Sequence, residues 1–241
     1  MNIDWEFITE SFPQIVVYLP VTLQLTVVSM LISLIVGTVF AYVNYKNVRI
    51  LSNIIKVYMS LIRGTPVILQ IFFIFNFGPY LINGLVDRLG LAIDVYGINP
   101  KFYAYVALSL STTVSIAEAI RAGLESIDKG QRESGLSVGM TEWQVLTNIV
   151  FPQAFTNAWP VMGNILVGLI KATSLAFMLT VVEITGYARI LGGNVLRYFE
   201  AYICVFAIYI VVIKITELIL KYIEVNKLVY RRRNVKRNER A

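Results

Sequence analysis

The chain contains no histidine and a single cysteine, Cys204, and only 15% of its 241 residues are charged. Without histidine there is no Ser-His triad, no imidazole base and no Cys/His zinc site, and one thiol builds no disulfide framework. The pattern Gly-x-x-x-x-Gly-Lys-Ser/Thr is also missing, so the chain does not hydrolyse ATP through a phosphate loop. Soluble domains carry about 25% charged and about 45–50% apolar residues. Here 57% are hydrophobic and the mean hydropathy is +0.68. One soluble core cannot hide that excess, and disorder, collagen and coiled coil are excluded with it. The composition is that of an integral membrane protein.

A spanning helix needs roughly 20 mostly apolar residues. Five stretches meet this, at about 20–43, 55–78, 101–122, 157–182 and 200–222. No small-residue cleavage site follows a short apolar core, so the first reads as a span and not as a signal peptide. Residues 1–19 form a separate N-terminal segment, with Asp4, Glu6 and Glu10 beside Trp5, Phe7 and Phe12. That mixture suits a short interfacial helix or a frayed end. Residues 20–225 are expected to form the membrane domain, and 226–241 a basic tail.

Lysine and arginine favour the cytoplasmic side of a membrane. Lys46, Arg49, Lys56 and Arg63 flank the first connection, and Arg121, Lys129 and Arg132 the third. Lys221, Lys227, Arg231, Arg232, Arg233, Lys236, Arg237 and Arg240 follow the last span. The opposite side has Arg88, Lys101, Arg189 and Arg197. This bias places the N-terminus outside and the C-terminus in the cytoplasm. The tail reads as a topology anchor at the inner leaflet, and nothing else in the chain suggests nucleic-acid binding.

The third connection, about 124–155, is longer than the roughly 2–8 residues usual between packed helices. Gln131 to Val138 suits a helix with Gly139 beyond its end. Thr141-Glu142-Trp143-Gln144 has the form of a capping box, with Thr141 as N-cap and Gln144 at N3. Trp143, Leu146, Ile149 and Val150 then recur on one expected helical face, and Pro152 starts or kinks a further helix. The expectation is a helix-turn-helix at the cytoplasmic surface whose apolar face needs a partner.

Glu133-Ser134-Gly135, three residues, Gly139, nine residues, then Ile149-Val150-Phe151-Pro152 resembles the coupling-loop signature of ABC importer permeases. That signature runs Glu-Ala-Ala, three residues, Gly, nine residues, Ile-x-Leu-Pro. Ser134 and Gly135 stand for its alanines and Phe151 for its leucine. Arg63-Gly64-Thr65-Pro66 with Gln70, Ser126-Ile127-Asp128-Lys129-Gly130-Gln131 and Lys171-Ala172-Thr173-Ser174-Leu175 are similar to blocks of the polar amino-acid permeases (the histidine, glutamine, arginine and cystine type). Members often have aspartate where Ala172 stands. The resemblance covers about residues 15 to 225.

It implies an all-α, five-span, type I ABC importer transmembrane domain. It further implies a second permease subunit, identical or homologous, two ATPase subunits and an extracytoplasmic solute-binding protein. ATP and magnesium would be held by the ATPases, with no cofactor or metal in this chain. It assigns ATPase coupling to Glu133, Ser134, Gly135, Gly139, Met140, Trp143 and Pro152.

Ionisable groups inside spans are costly and usually face a cavity or a partner. Lys171, with Thr173 and Ser174, lies either along the solute path or at the permease interface, or its ammonium snorkels to the surface. Lys214 and Glu217, three apart, suit a structural helical pair. Pro66 should kink the second span, and irregular helices at membrane depth often line cavities. Arg63, Thr65 and Gln70 are therefore pathway candidates, as are Asn76 and Asn164, although each asparagine serves helix packing equally well.

Gly135-Leu136-Ser137-Val138-Gly139 has the spacing of a hydrolase nucleophile elbow, but lacks its histidine and its strand-to-helix setting. A stand-alone secondary carrier using Lys171 and Glu183 is the second functional class. It leaves the long connection unexplained, and no internal repeat supports it. An intramembrane enzyme would rest on a bare Ser–Lys dyad without a positioning motif. The Thr-Ser-Leu-Ala-Phe run at 173–177 points towards cystine or another sulfur amino acid as solute.

Overall fold

In the computed structural model, which describes residues 3–225, every regular element is helical. Helix α1 (Trp5–Val16) opens on Asp4, whose carboxylate accepts from the Phe7 N–H at 3.0 Å, so this stretch is a capped helix and not a frayed end. Helix α2 (Leu19–Tyr45) has Pro20 in its first turn, where a missing N–H is harmless. There follow α3 (Arg49–Arg63), α4 (Val67–Leu89), α5 (Pro100–Glu125), α6 (Lys129–Ser137) and α7 (Glu142–Val145). A π turn, Leu146–Val150, fuses α7 to α8 (Phe151–Ala172), and a 3₁₀ run, Thr173–Leu179, prolongs α8. Helices α9 (Ile184–Asn194) and α10 (Tyr198–Ile223) complete the described chain.

Five segments are long and apolar enough to cross a bilayer: α2, α4, α5, the continuous stretch Glu142–Leu179, and α10. Helix α5 is the most enclosed of them and forms the axis on which α2, α4 and α8 pack. Against α2 it meets a seam of small residues four apart, Ser29, Ser33, Gly37 and Ala41, all buried. The Ser33 hydroxyl donates to the Ser109 carbonyl at 3.2 Å and that of Ser109 to the Ser29 carbonyl at 3.4 Å. Small residues let membrane helices approach until backbones and hydroxyls touch, which replaces the solvent-driven packing that lipid cannot supply. Helices α5 and α8 are closer still: a Cβ on Gly123 would stand 2.4 Å from the Ala154 carbonyl oxygen.

Three expectations change. The stretch 55–78 is not one kinked span. The chain breaks at Gly64–Pro66, so α3 is a separate amphipathic helix and the span is α4. Proline at 66 both lacks an N–H and forces its predecessor out of the helical region, which separates the helices outright. The fourth span begins earlier than 157, tightens to 3₁₀ geometry at Thr173 and stops at Thr180, which has φ 60°. Helix α9 was not anticipated. The basic tail at 226–241 lies outside the described residues.

Candidate functional site

The connection at 124–155 is rigid because each end of each short helix is satisfied. The Asp128 side chain caps α6 through the Gly130 N–H at 2.7 Å. At the other end the Gly139 N–H donates to Leu136 O at 3.0 Å and the Met140 N–H to Gly135 O at 3.1 Å. This pair is a Schellman closure. Its left-handed residue is Gly139, φ 85°, a conformation that costs an L side chain roughly 1–2 kcal/mol. One residue later the capping box forms: Gln144 N–H donates to Thr141 Oγ1 at 3.2 Å, and Thr141 N–H to Gln144 Oε1 at 2.8 Å. Arg132 and Glu142 pair across the corner, and Lys46 reaches Glu142 at 3.8 Å from the α2–α3 connection.

This hairpin sits on the bundle through Val145, Leu146 and Val150, which join Ala41, Ile120, Leu124 and Ala154 in one buried cluster, with Met140 packed at its edge. Gly135 is buried because α6 crosses here: a Cβ would meet Val145 Cγ2 at 2.7 Å. Glu133 and Ser134 are exposed, as are Trp143 (64%) and Val138 (77%). Pro152 stands in the first turn of α8. The apolar stripe expected on one face is thus divided: Leu146 and Val150 point into the protein while Trp143 stays outside. The outcome is a firmly mounted hairpin presenting an apolar tip beside charged groups.

Apart from Asn76 and Asn164, the pathway candidates fall into two separate places. At the α3–α4 break, Gln70 Nε2 donates to Ile62 O at 2.8 Å, Thr65 O at 2.9 Å and Thr65 Oγ1 at 3.1 Å. Its amide adds a donor to carbonyls at the end of α3, where the helical pattern of hydrogen bonds runs out. Arg63 pairs with Glu118 on α5. These three candidates therefore form a junction, and Asn76 merely bonds its own helix at Phe72 O, 2.8 Å away. Asn164 is exposed on α8.

The second place is a cleft of about 430 Å³ between the end of α8, α9 and α10, within the range of small-molecule sites. Lys171, Ser174, Thr185, Tyr202 and Tyr209 supply its polar lining. Phe206, Ile210 and Ile213 form an apolar wall. Thr173 is buried beside it, with its hydroxyl on Ile170 O at 2.7 Å, so it packs where its neighbour Ser174 lines. Lys171 makes no ion pair among the described residues. Lys214 and Glu217 do pair, at 3.6 Å.

Glu183 is 0% exposed and caps α9 by accepting from the Gly186 N–H at 2.8 Å. It also receives the hydroxyls of Thr22 at 3.3 Å and Tyr209 at 3.4 Å. A sealed carboxylate thereby ties α2, α9 and α10 together. Its sequence signal is an acidic residue in an apolar stretch, three positions before a glycine. No group of three or more metal-ligating side chains occurs among the described residues.

A five-span helical bundle with a rigid external hairpin has the architecture of a transporter's membrane component. Residues 30–226 match the family described as binding-protein-dependent transport system inner membrane component, and the chain belongs to that family. It is 36% identical over 208 residues to the "Probable amino-acid permease protein YxeN" of Bacillus subtilis (strain 168), covering 86% of this chain and 88% of the relative. To the "L-cystine transport system permease protein TcyL" of the same organism it is 35% identical, covering 86% and 84%. More distant relatives are named for arginine and for glutamine transport. Among solved structures, the "Crystal structure of an amino acid ABC transporter with histidines" superposes with TM-score 0.77 at 27% identity, covering 93% of this chain and 99% of that one.

Proposed function

We propose that this chain is the membrane permease subunit of an ATP-binding-cassette importer for a polar amino acid. The observation that carries the reading is the hairpin: two capped helices locked on the bundle, with Trp143 and Val138 exposed at the tip. An apolar anchor on a rigid lever is what a partner's groove needs in order to transmit a movement. In this reading Trp143 seats in the ATPase. Glu133 and Ser134 face it, Gly135 lets α6 lie close to the π turn, and Gly139 and Met140 close the corner. Pro152 starts the helix that carries the movement into the membrane.

The complex comprises two permease chains, identical or homologous, two ATPases that hold ATP and magnesium, and an extracytoplasmic binding protein that delivers the solute. No cofactor is assigned to this chain, and the chemistry of hydrolysis resides in its partners. The hairpin end of the bundle, which carries Lys46, Arg121 and Arg132, faces the cytoplasm, with the N-terminus outside, as the distribution of basic residues supports. Residues 1–19 lie at the outer interface, 20–225 form the transport domain and 226–241 anchor the chain at the inner leaflet. L-cystine is the first solute to test, on the strength of the 173–177 run and of the relative named for it.

A stand-alone carrier using Lys171 and Glu183 fits poorly, because the Glu183 carboxylate is sealed and fully engaged. The test is co-purification with a candidate ATPase subunit and solute-stimulated hydrolysis in a bilayer. Replacing Gly139 by proline, whose φ is locked near −65°, removes the corner. Stimulation should vanish while the bundle remains folded. Stimulation that survives the replacement rejects the hairpin as the coupling element.

A further inference from the structure

We propose that helix α3 is a docking surface for anionic phospholipid. Arg49 and Lys56 hold headgroup phosphates, and the apolar stripe beside them lies against acyl chains. The importer reading enters only in naming the leaflet, the cytoplasmic one on the hairpin side.

Helix α3 has 15 residues, about 22 Å at 1.5 Å per residue, and is not among the five segments long and apolar enough to cross a bilayer. It stays in the half of the bundle that carries the hairpin. In its first turn Ser52 Oγ donates to Asn44 Oδ1 at 2.9 Å, and Asn44 is the last residue but one of α2. Its final residue, Arg63, pairs with Glu118, which precedes the end of α5 at Glu125 by only about 10 Å of helix. Lys46, just before α3, reaches Glu142 of the hairpin at 3.8 Å.

The helix has three faces at about 100° per residue. Ser52, Ile55 and Met59 are buried against the bundle. Ile50, Ile54, Val57 and Leu61 form a second stripe, 60–77% exposed. Arg49, Asn53, Lys56, Ser60 and Arg63 form a third, exposed along its whole length. The bundle covers the first face, and hydrocarbon is the surrounding that suits the second. The third is cationic and has almost nothing of its own to neutralise it. Arg63 has Glu118, but Arg49 and Lys56 make no ion pair among the described residues. No residue from 11 to 86 is acidic, so α2, α3 and most of α4 supply no counter-charge.

A basic stripe running beside an apolar one is the pattern of a helix at a membrane surface, and basic groups next to spans attract anionic lipid. Phosphate oxygens accept charge-assisted hydrogen bonds from a guanidinium and an ammonium group. Asn53 stands one turn from each cation, where its amide adds a neutral donor to the same stripe. A second copy of the chain laid stripe to stripe would bring like charges together, so the charge pattern favours lipid over self-association on this face.

The test uses the permease–ATPase complex in phosphatidylcholine nanodiscs, with bimane attached through Ile50→Cys on the apolar stripe; the native Cys204 is buried. Lipids with brominated acyl chains quench the bimane on contact. At the same low mole fraction, brominated phosphatidylglycerol should quench about threefold more than brominated phosphatidylcholine, the scale expected of basic groups at an anionic surface. Replacing both cations, Arg49→Gln with Lys56→Gln, should make the two lipids equal. The charge-conserving pair Arg49→Lys with Lys56→Arg should keep the preference, and so should Lys214→Gln, which removes a cation of α10. Size exclusion and thermal unfolding confirm that each variant is assembled. Equal quenching with the stripe intact, or a preference that survives loss of both cations, overturns the proposal. Relief of quenching by millimolar glycerol 3-phosphate also overturns it, because the ligand would then be a soluble phosphate. The readout needs neither nucleotide nor solute. Absence of ATP-driven uptake by the complete system therefore refutes the importer reading, whereas uptake with equal quenching refutes the lipid site alone.

Discussion

Replacing Trp143 and Leu146 by alanine, one at a time, separates the two faces of the hairpin. The residues are three positions apart, yet Trp143 is 64% exposed and Leu146 8%. Trp143→Ala removes no buried contact of the bundle, so the stability change should fall within about 0.5 kcal/mol, as for most surface substitutions. A tryptophan seated at the centre of a protein interface is commonly worth about 2 kcal/mol or more, equivalent to about thirtyfold in affinity. Leu146→Ala should do the reverse. It opens a cavity among Val145, Val150 and Ala154 and should cost about 2–5 kcal/mol of stability. Thermal unfolding in nanodiscs reads the first quantity, and titration of the purified ATPase reads the second. The reasoning is refuted if Trp143→Ala destabilises the chain as much as Leu146→Ala. It is equally refuted if the ATPase binds the Trp143 variant at full affinity.

Gly123→Ala should be among the most damaging small substitutions, because a backbone carbonyl of α8 stands 2.4 Å from the new Cβ; overpacking of this kind costs about 1–3 kcal/mol, read as lost yield and earlier unfolding. Gln70→Leu removes the side-chain donor shared by the carbonyls of Ile62 and Thr65, of which Ile62 keeps the Thr65 N–H, and should cost about 0.5–1.5 kcal/mol, with faster hydrogen exchange confined to the α3–α4 junction. Thr141→Ala removes the N-cap of α7 and should cost about 1 kcal/mol, visible as faster exchange at Gln144. The Arg63–Glu118 pair is half exposed, so a double-mutant cycle should return no more than about 1 kcal/mol.

The five spans are legible in the sequence because hydropathy over 20 residues is a strong signal, and the hairpin is legible because capping chemistry is local. What local signals cannot give is rotation. The stripe Trp143, Leu146, Ile149 and Val150 presumes about 100° per residue, but Leu146–Val150 form a π turn, whose wider turn advances less per residue. The stripe therefore splits between solvent and core. Pro66 signalled an irregularity without saying whether the helix would bend or stop, and the answer lies in Gln70, which supports a full break from the next helix. Helix α9 was hidden by Gly186, Gly192 and Gly193, which lower helix propensity. It forms because Glu183 caps it and α10 packs along it. The α2–α5 seam emerged only with the structure, because small residues four apart do not say which helix they meet. The cleft was half legible: Lys171 and Ser174 stood out, whereas Tyr202, Tyr209 and Thr185 are brought to them only by the return of α9 and α10.

The most direct test of the account is solute uptake into proteoliposomes carrying this chain with its ATPase partner, with binding protein supplied outside. The account predicts accumulation of a polar amino acid that requires enclosed ATP, stops with a non-hydrolysable analogue and is insensitive to dissipating the ion gradients. Uptake by this chain alone, driven by an ion gradient with no ATPase present, would contradict it.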